Sequence, residues 1–466
     1  MEIWEIKLKE HFGSAVVDKK KAMENQVQSL PRYVSEYLLG FFCEEEITND
    51  SIKDMNNYIN EHRIEGREKE VAKYRLMENM NMKIIDKFKV KINLKKNQPD
   101  NKMEVPSLGI SDAEVYRNVL NEHPRLLIDG LWGMGELEYD SEEGKVYLNQ
   151  FKPFQLSDID TKEFIEARNE FSTEEWMNII VSSMGLNFIN YTRRQKIILI
   201  SRLIPMVESN VFMMEFGRPG TGKTYAYENI SSYSRVISGS QISPAQLFYN
   251  LQTKQDGLLV QYDVLLFDEI DKVKDKGLDE TVVNKLYAYL ESGKFDRGGV
   301  EKASNCGLIM VGNLTPGPLD TEYLLINLLH EKLRHSAFLD RLTAVIPGWE
   351  LESIKDPEIS ITKNFGFAAD YFSEILHKIR RENYPYITKK IKYMNASIRD
   401  TKSIEKIING LIKIMYPNGK IENDELRELC DYAVELRNYI NHQNFKINGD
   451  EKFKREIHYK IKEEIV

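Results

Sequence analysis

Eight residues, Gly217-Arg-Pro-Gly-Thr-Gly-Lys-Thr224, follow directly on the short apolar run Val211–Phe216 and lead into a helix-compatible stretch. Few patterns restrict a fold as strongly. GxxxxGK[ST] needs a strand that delivers the chain into a tight glycine turn, and a helix whose positive end faces back into that turn. Gly217, Pro219, Gly220, Thr221 and Gly222 shape a cradle in which backbone N–H groups turn inward around phosphates. Lys223 then contacts the β- and γ-phosphates, and the Thr224 hydroxyl is placed to ligand Mg2+.

Two further apolar runs, Val264–Phe267 and Leu308–Val311, are too short and too continuous for amphipathic helices. Strands of that kind belong in a parallel sheet covered on both faces. Each ends in polar residues. Asp268 and Glu269 close the first, 45 residues after Lys223; Asp268 would hold Mg2+, and Glu269 would orient or deprotonate an attacking water. Asn313 closes the second, on the side of a parallel sheet where ligands bind. It would position that water, or it is a turn-forming residue ahead of Pro316. In Phe338-Leu-Asp-Arg-Leu342, Arg341 is a candidate arginine finger for a neighbouring subunit's γ-phosphate, with Arg334 in reserve; alternatively it pairs with a surface acid. Arg399, opening the helical stretch Asp400–Met415, is a candidate to reach the same phosphates from a lid, or a plain surface residue.

The rest of the chain divides by pattern. Residues 1–155 read as a mixed α/β domain, with an apolar helix over Arg32–Cys43 opened by Pro31. The stretch from Lys87 to Lys95 alternates, with Phe88, Val90, Ile92 and Leu94 on an inner face and lysines on the other. Residues 156–207 form a helical connector with capping boxes at Ser172/Glu175 and Thr192/Gln195. Residues 208–350 form the phosphate-binding core, 351–447 a helical lid, and 448–466 a charged tail expected as a surface helix or a frayed end.

With 466 residues, the chain is too long for one core. It contains no apolar run of the roughly 20 residues that span a bilayer, and no signal-peptide core. A cytoplasmic location without membrane association is the expectation. Cys43, Cys306 and Cys430 lie far apart and make neither a zinc site nor a disulfide framework. The net charge of −9 argues against a protein that coats nucleic acid with its whole surface. It leaves room for a local basic path, because distant charges are screened.

This order of parts resembles the AAA+ ATPases and, more narrowly, the BrxL family, Lon-like proteins of BREX phage-defence systems. The likeness is carried by Tyr33-Val-Ser-Glu-Tyr-Leu-Leu-Gly40, Leu203-Ile-Pro-Met-Val-Glu208, Ser238-Gly-Ser-Gln241, Glu291-Ser-Gly-Lys-Phe-Asp-Arg-Gly298, Leu339-Asp-Arg-Leu342 and Ile346-Pro-Gly-Trp349. It implies an AAA+ P-loop core with a helical lid behind a mixed α/β N-terminal domain. It also implies ATP as the nucleotide, a hexamer or stacked hexamers, double-stranded DNA as partner, and work alongside other BREX components. Arg341 becomes the trans finger and Arg399 a second sensor. One departure stands out: only 67 residues, 400–466, follow Arg399. They leave no room for the Ser–Lys protease fold of Lon-like proteins, so peptidase activity is not expected.

Two stretches are candidates for the DNA contact. Lys83 to Lys96 contains six lysines and one acid, with Lys87, Lys89, Lys91 and Lys95 on one strand face. These would track phosphates without reading bases, or simply protect a sheet edge. Lys294, Arg297 and Lys302 lie between core strands, in a loop that would face a ring's pore or form an ordinary solvated hairpin.

Overall fold

The computed structural model describes residues 2–25, 27, 30–43, 48–94, 100–128, 130–154, 159–237, 242–270, 280–314, 322 and 324–462. The chain forms two compact units. One comprises Met1–Lys20, Asp160–Phe367 and Ile375–Val466; the other comprises Lys21–Ile159 and Ala368–Glu374.

The larger unit is built on five strands in the order Ala344–Ile346, Phe212–Gly217, Gly307–Asn313, Val264–Phe267, Ser234–Ile237. All four pairings are parallel. Phe212, Met214, Leu265, Leu308 and Met310 are buried in one core with Val282, Leu286 and Phe338, while Met213, Leu266 and Ile309 are equally hidden from solvent. Burial on both faces explains why these strands read as unbroken apolar runs. The strand order is that of an AAA+ core. In register, Asn313 lies opposite Gly217, so strand ends carrying different chemistry arrive at the same edge.

Both capping boxes of the connector form, at Ser172/Glu175 and Thr192/Gln195. Trp176 Nε1 donates to Ile414 O at 2.9 Å, tying the connector to the long helix Ile398–Met415. That helix and Asn423–Asn448 bury Ile404, Ile407, Leu411, Leu429, Ala433 and Leu436. The second ends at Gly449, whose φ of 66° is the left-handed cap that favours glycine.

Several features depart from expectation. The first residues group with the larger unit: helix Ile3–Phe12 buries Trp4, Leu8 and Phe12, Trp4 meets Phe188 edge-on, and Val16–Asp18 pairs with Phe365–Phe367. An i, i+4, i+8 spacing declares a buried face but not what covers it. The tail is not one surface helix and not frayed over its described residues: a single 3-10 turn, Glu451–Phe453, leads to His458–Ile461, which pairs antiparallel with Ile391–Met394. A four-residue edge strand in a charged stretch leaves too little periodicity to see.

The smaller unit contains helices Arg32–Phe42, Asn49–His62 and Lys69–Asn79, and a closed five-stranded barrel. Around the barrel run Asn81–Asn93, Asp100–Val105, Ile110–Val115, Lys145–Pro153 and Leu131–Asp140. Only the pairing of Ile110–Val115 with Lys145–Pro153 is parallel. With the short helix Arg117–Glu122 between the third and fourth strands in sequence, this is the topology of an oligonucleotide/oligosaccharide-binding barrel. Phe88 and Val90 enter its core, whereas Ile92 is 50% and Leu94 84% exposed. The expected apolar face therefore stops at Val90, because the strand runs on past the barrel to pair with Asp100 and Asn101.

Asp400 anchors the lid. It caps its own helix, accepts from Arg437 Nε at 2.7 Å and Arg455 Nη2 at 2.6 Å, and is fully buried. Burial opposes its ionisation, but Arg437 and the Ser397 N–H outweigh that and hold the carboxyl down at about 2. Its folded pKa lies below the unfolded value of about 3.9, so its stabilisation is complete above pH ~4 and is lost as pH falls toward 2. Asp400→Asn is expected to remove roughly 1–2 kcal/mol of that acid-dependent stability, after allowance for solvent screening. Urea melts of both proteins from pH 6 to 2 check it: the wild-type curve falls in this window and the variant's is flatter.

Candidate functional site

The glycine turn leaves the C-terminal end of strand Phe212–Gly217 and enters helix Lys223–Asn229. Gly220 and Gly222 have φ of 77° and 73°, a region open to glycine at no steric cost. Lys223 is 6% exposed. Its Nζ donates to Gly217 O at 3.1 Å, Arg218 O at 2.9 Å and Asn313 Oδ1 at 3.0 Å. The ammonium thus turns its donors on oxygens around the cradle, where phosphate oxygens can compete for them.

One residue on, Thr224 Oγ1 donates to Asp268 Oδ2 at 2.9 Å. A hydroxyl and a carboxylate side by side suit a hard cation such as Mg2+, whose other ligands would be phosphate and water oxygens. Among the described residues no group of three or more His, Cys, Asp or Glu forms a metal cage. Glu228, one turn past Thr224, adds to the local negative charge: burial and the Asp268 carboxylate push its pKa up. Glu269 follows with φ of 57°, uncommon for a residue with a side chain, and its N–H donates to Asp268 Oδ1 at 2.7 Å. Such a backbone costs on the order of 1–3 kcal/mol and is found where geometry serves a site.

The structure therefore gathers Gly217, Gly220, Gly222, Lys223, Thr224, Asp268, Glu269 and Asn313 at one edge of the sheet. Pro219 and Thr221 complete the turn. Arg341 and Arg399 lie elsewhere: both pair with Glu291, at 2.9 and 2.7 Å. The reserve candidate Arg334 donates its Nε to Leu329 O at 2.8 Å.

The lysine candidates sit among acids. Lys91 pairs with Glu104, and Lys87 and Lys89 are half-buried on the same barrel strand. Lys95 lies outside the described residues, as does the quoted stretch Ser238–Gln241. Lys294 and Arg297 belong to strand Lys294–Arg297, paired with Val300–Ala303 in a true hairpin. Lys294 is 3.2 Å from Glu301 and Lys302 is 2.6 Å from Asp256. Asp256 belongs to a second hairpin, Tyr249–Asn250 with Gln255–Asp256, which sequence reading missed because its strands are two residues long.

Also missed was the support beneath the cradle. Arg202 and Glu215 are both fully buried and bidentate, Nη2 to Oε1 at 2.6 Å and Nε to Oε2 at 3.0 Å. Arg202 Nη1 donates to Thr221 O at 3.0 Å, so the pair grips the turn from below. Behind it, Ser353 Oγ donates to Pro219 O and Ile354 N to Gly220 O, each at 2.8 Å. The available signal was a lone glutamate inside an otherwise apolar strand, which demands a buried partner.

Arg202→Met leaves the Glu215 carboxylate buried and unpaired. It is expected to cost about 3–5 kcal/mol and to weaken nucleotide binding. Restoring stability with Arg202→Met/Glu215→Leu should not restore binding, since the Thr221 contact stays lost. Urea unfolding and titration with a fluorescent ATP analogue measure the two effects separately.

Two family models match the chain: "Lon-like protease BrxL-like, ATPase domain" over residues 146–458, and "BREX system Lon protease-like protein BrxL N-terminal" over residues 10–139. A relative called Lon-like protease BrxL from Bacillus cereus (strain H3081.97) is 32% identical over 467 residues, covering 97% of this chain and 68% of the relative. Its namesake from Escherichia coli O9:H4 (strain HS) is 32% identical over 459 residues, covering 96% and 65%. The chain thus spans about two thirds of the length of these curated relatives. A full-length MCM homolog from Methanopyrus kandleri superposes with a TM-score of 0.43 at 11% identity, covering 77% of this chain and 78% of that one. With both domain models and relatives matched along nearly its whole length, the chain belongs to the BrxL family and carries that family's ATPase domain.

Proposed function

We propose that the chain is an oligomeric AAA+ ATPase that binds double-stranded DNA and uses ATP binding and hydrolysis to remodel or translocate on it in BREX-type defence against phage. The observation that carries this reading is the convergence of Lys223, Thr224, Asp268, Glu269 and Asn313 at the C-terminal ends of three adjacent parallel strands.

In this mechanism the backbone N–H groups of residues 220–224 hold the phosphate oxygens, and Lys223 neutralises the outer two groups. Thr224 and Asp268 would hold Mg2+, which would supply charge neutralisation for the phosphates. Glu269 accepts a proton from the attacking water or orients it, and Asn313 holds that water in line. Assembly as a hexamer or stacked hexamers brings a neighbour's Arg341 to the γ-phosphate. Hydrolysis, with no peptide cleavage, is the chemistry assigned to these residues.

The barrel supports the DNA part of the reading, since barrels of this topology commonly bind oligonucleotides along their strand faces and loops. The pairing of Lys91, Lys294 and Lys302 with acids favours a second reading, remodelling of other BREX proteins, because a neutralised lysine releases little counterion on meeting a phosphate. Cytoplasmic work fits either reading; no helix among the described residues is long and apolar enough to cross a membrane.

Glu269→Gln is expected to retain ATP binding and to hydrolyse at least about a hundredfold more slowly. Duplex DNA at low salt is expected to stimulate the wild-type rate, with the stimulation fading as salt rises. A phosphate-release assay with and without DNA measures both. Stimulation by a protein partner but not by DNA would select the second reading, and a Glu269→Gln rate equal to wild type would remove the catalytic assignment.

A further inference from the structure

Two short hairpins that lie apart in sequence are joined from base to tip. The first, Tyr249–Asn250 with Gln255–Asp256, comes after strand Ser234–Ile237; the second, Lys294–Arg297 with Val300–Ala303, comes after helix Glu280–Ser292. At the base, Ser304 Oγ donates to Leu259 O. Inside, Phe248 meets Phe295 with ring centroids 5.3 Å apart. Midway, Lys302 Nζ lies 2.6 Å from Asp256 Oδ1 and 5.2 Å from the centre of the Tyr249 ring. Tyr249 and Asp256 stand opposite each other in the first hairpin, so one ammonium from the second hairpin spans both of its strands. Near the tips, a Cβ on Gly298 would come within 2.6 Å of Leu251 Cδ2. Lys302 and Asp256 keep 31% and 36% of their side-chain surface exposed, and a pair so wet contributes little to global stability. Its ammonium is nevertheless held twice, by a carboxylate and by a ring face. That holding fixes one hairpin to the other.

The chain order gives this contact a consequence. From the first hairpin the chain passes through helix Leu258–Gln261 into strand Val264–Phe267, which delivers Asp268 and Glu269. From the second it runs into strand Gly307–Asn313, which delivers Asn313. The two strands are parallel neighbours with Val264 opposite Gly307, and Gly307 N–H donates to Asp263 O at 2.7 Å. A push on one hairpin alone would slide one strand along the other and carry Glu269 out of step with Asn313. Close-packed interiors transmit such strain rather than absorb it. Joined hairpins move both strands together.

Resting on the DNA-dependent ATPase reading above, we propose that Lys302 is a positioning residue. Latched to Asp256, it makes the two hairpins one body, through which duplex DNA meeting the exposed tips at Leu251, Lys254 and Gly299 is read by Glu269 and Asn313 together. Lys302 thus holds the hairpins and does not itself hold a phosphate.

Charge exchange tests this. Lys302→Asp, Asp256→Lys and the double exchange are compared with wild type in the full chain. The readouts are the ratio of ATPase rates with and without duplex DNA, and DNA affinity by fluorescence anisotropy. The latch predicts that each single variant loses at least about two thirds of the stimulation and that the double exchange regains most of it, as a pairwise interaction requires. A phosphate-holding Lys302 predicts the reverse: Lys302→Asp weakens DNA binding at least about tenfold, Asp256→Lys strengthens it, and the double exchange regains no stimulation. That result overturns the proposal. Hydrogen exchange without DNA separates the latch from the reading it rests on. In Lys302→Met, the amides of residues 249–257 are expected to exchange at least about threefold faster than in wild type, although the substitution lies in the other hairpin. Unchanged protection there overturns the latch. Faster exchange, in a protein whose wild-type rate duplex DNA does not raise, supports the latch and overturns the DNA reading.

Discussion

The buried Arg202–Glu215 pair is the interaction on which the site depends. A glycine turn is flexible by composition, and flexibility is the opposite of what a phosphate cradle needs. Fixing the turn costs conformational entropy at each glycine. The strand beneath it supplies Glu215, the connector supplies Arg202, and together they hold Thr221 from inside the protein. An ion pair this deep gains little net stability over an apolar substitute. Its value lies in placement: the cradle cannot shift without uncovering a buried charge.

From that fixed turn the chemistry follows by register. Asn313 stands opposite Gly217, and Phe267 opposite Met310, so Lys223, Asn313 and Asp268 arrive together because parallel strands end together. The two arginines gather by the same logic at the opposite end, on the far side of the P-loop strand. A parallel sheet thus separates the glycine turn and its acid pair from the two arginines. In the proposed reading, each end of the sheet serves a different copy of the chain. The proposed requirement for a neighbour is a consequence of topology before it is a matter of regulation.

What could be read from the residues follows the same physics. The cradle, the acid pair and Asn313 were legible because each sits at the end of a buried strand whose continuous apolar character is local and unmistakable. The capping boxes were legible for the same reason. The barrel was not: its closure depends on pairing Asn81–Asn93 with Leu131–Asp140, about 50 residues apart, and alternation within one strand does not name a partner. Ile92 and Leu94 were placed inside because alternation continues past the point where the barrel ends. Glu291 was quoted as part of a family-like stretch, yet its place between two arginines depends on three segments far apart in the chain. Local signals gave the strand ends and the turn; contacts between distant segments decided what meets there.

The most direct measurement is cryo-electron microscopy of the protein with Mg2+, a non-hydrolysable ATP analogue and duplex DNA. The account predicts a closed ring, with the triphosphate wrapped by residues 217–224 of one subunit and its terminal phosphate met by Arg341 of the next. A nucleotide bound away from Lys223, or Arg341 still seated on Glu291 with no phosphate before it, would contradict it.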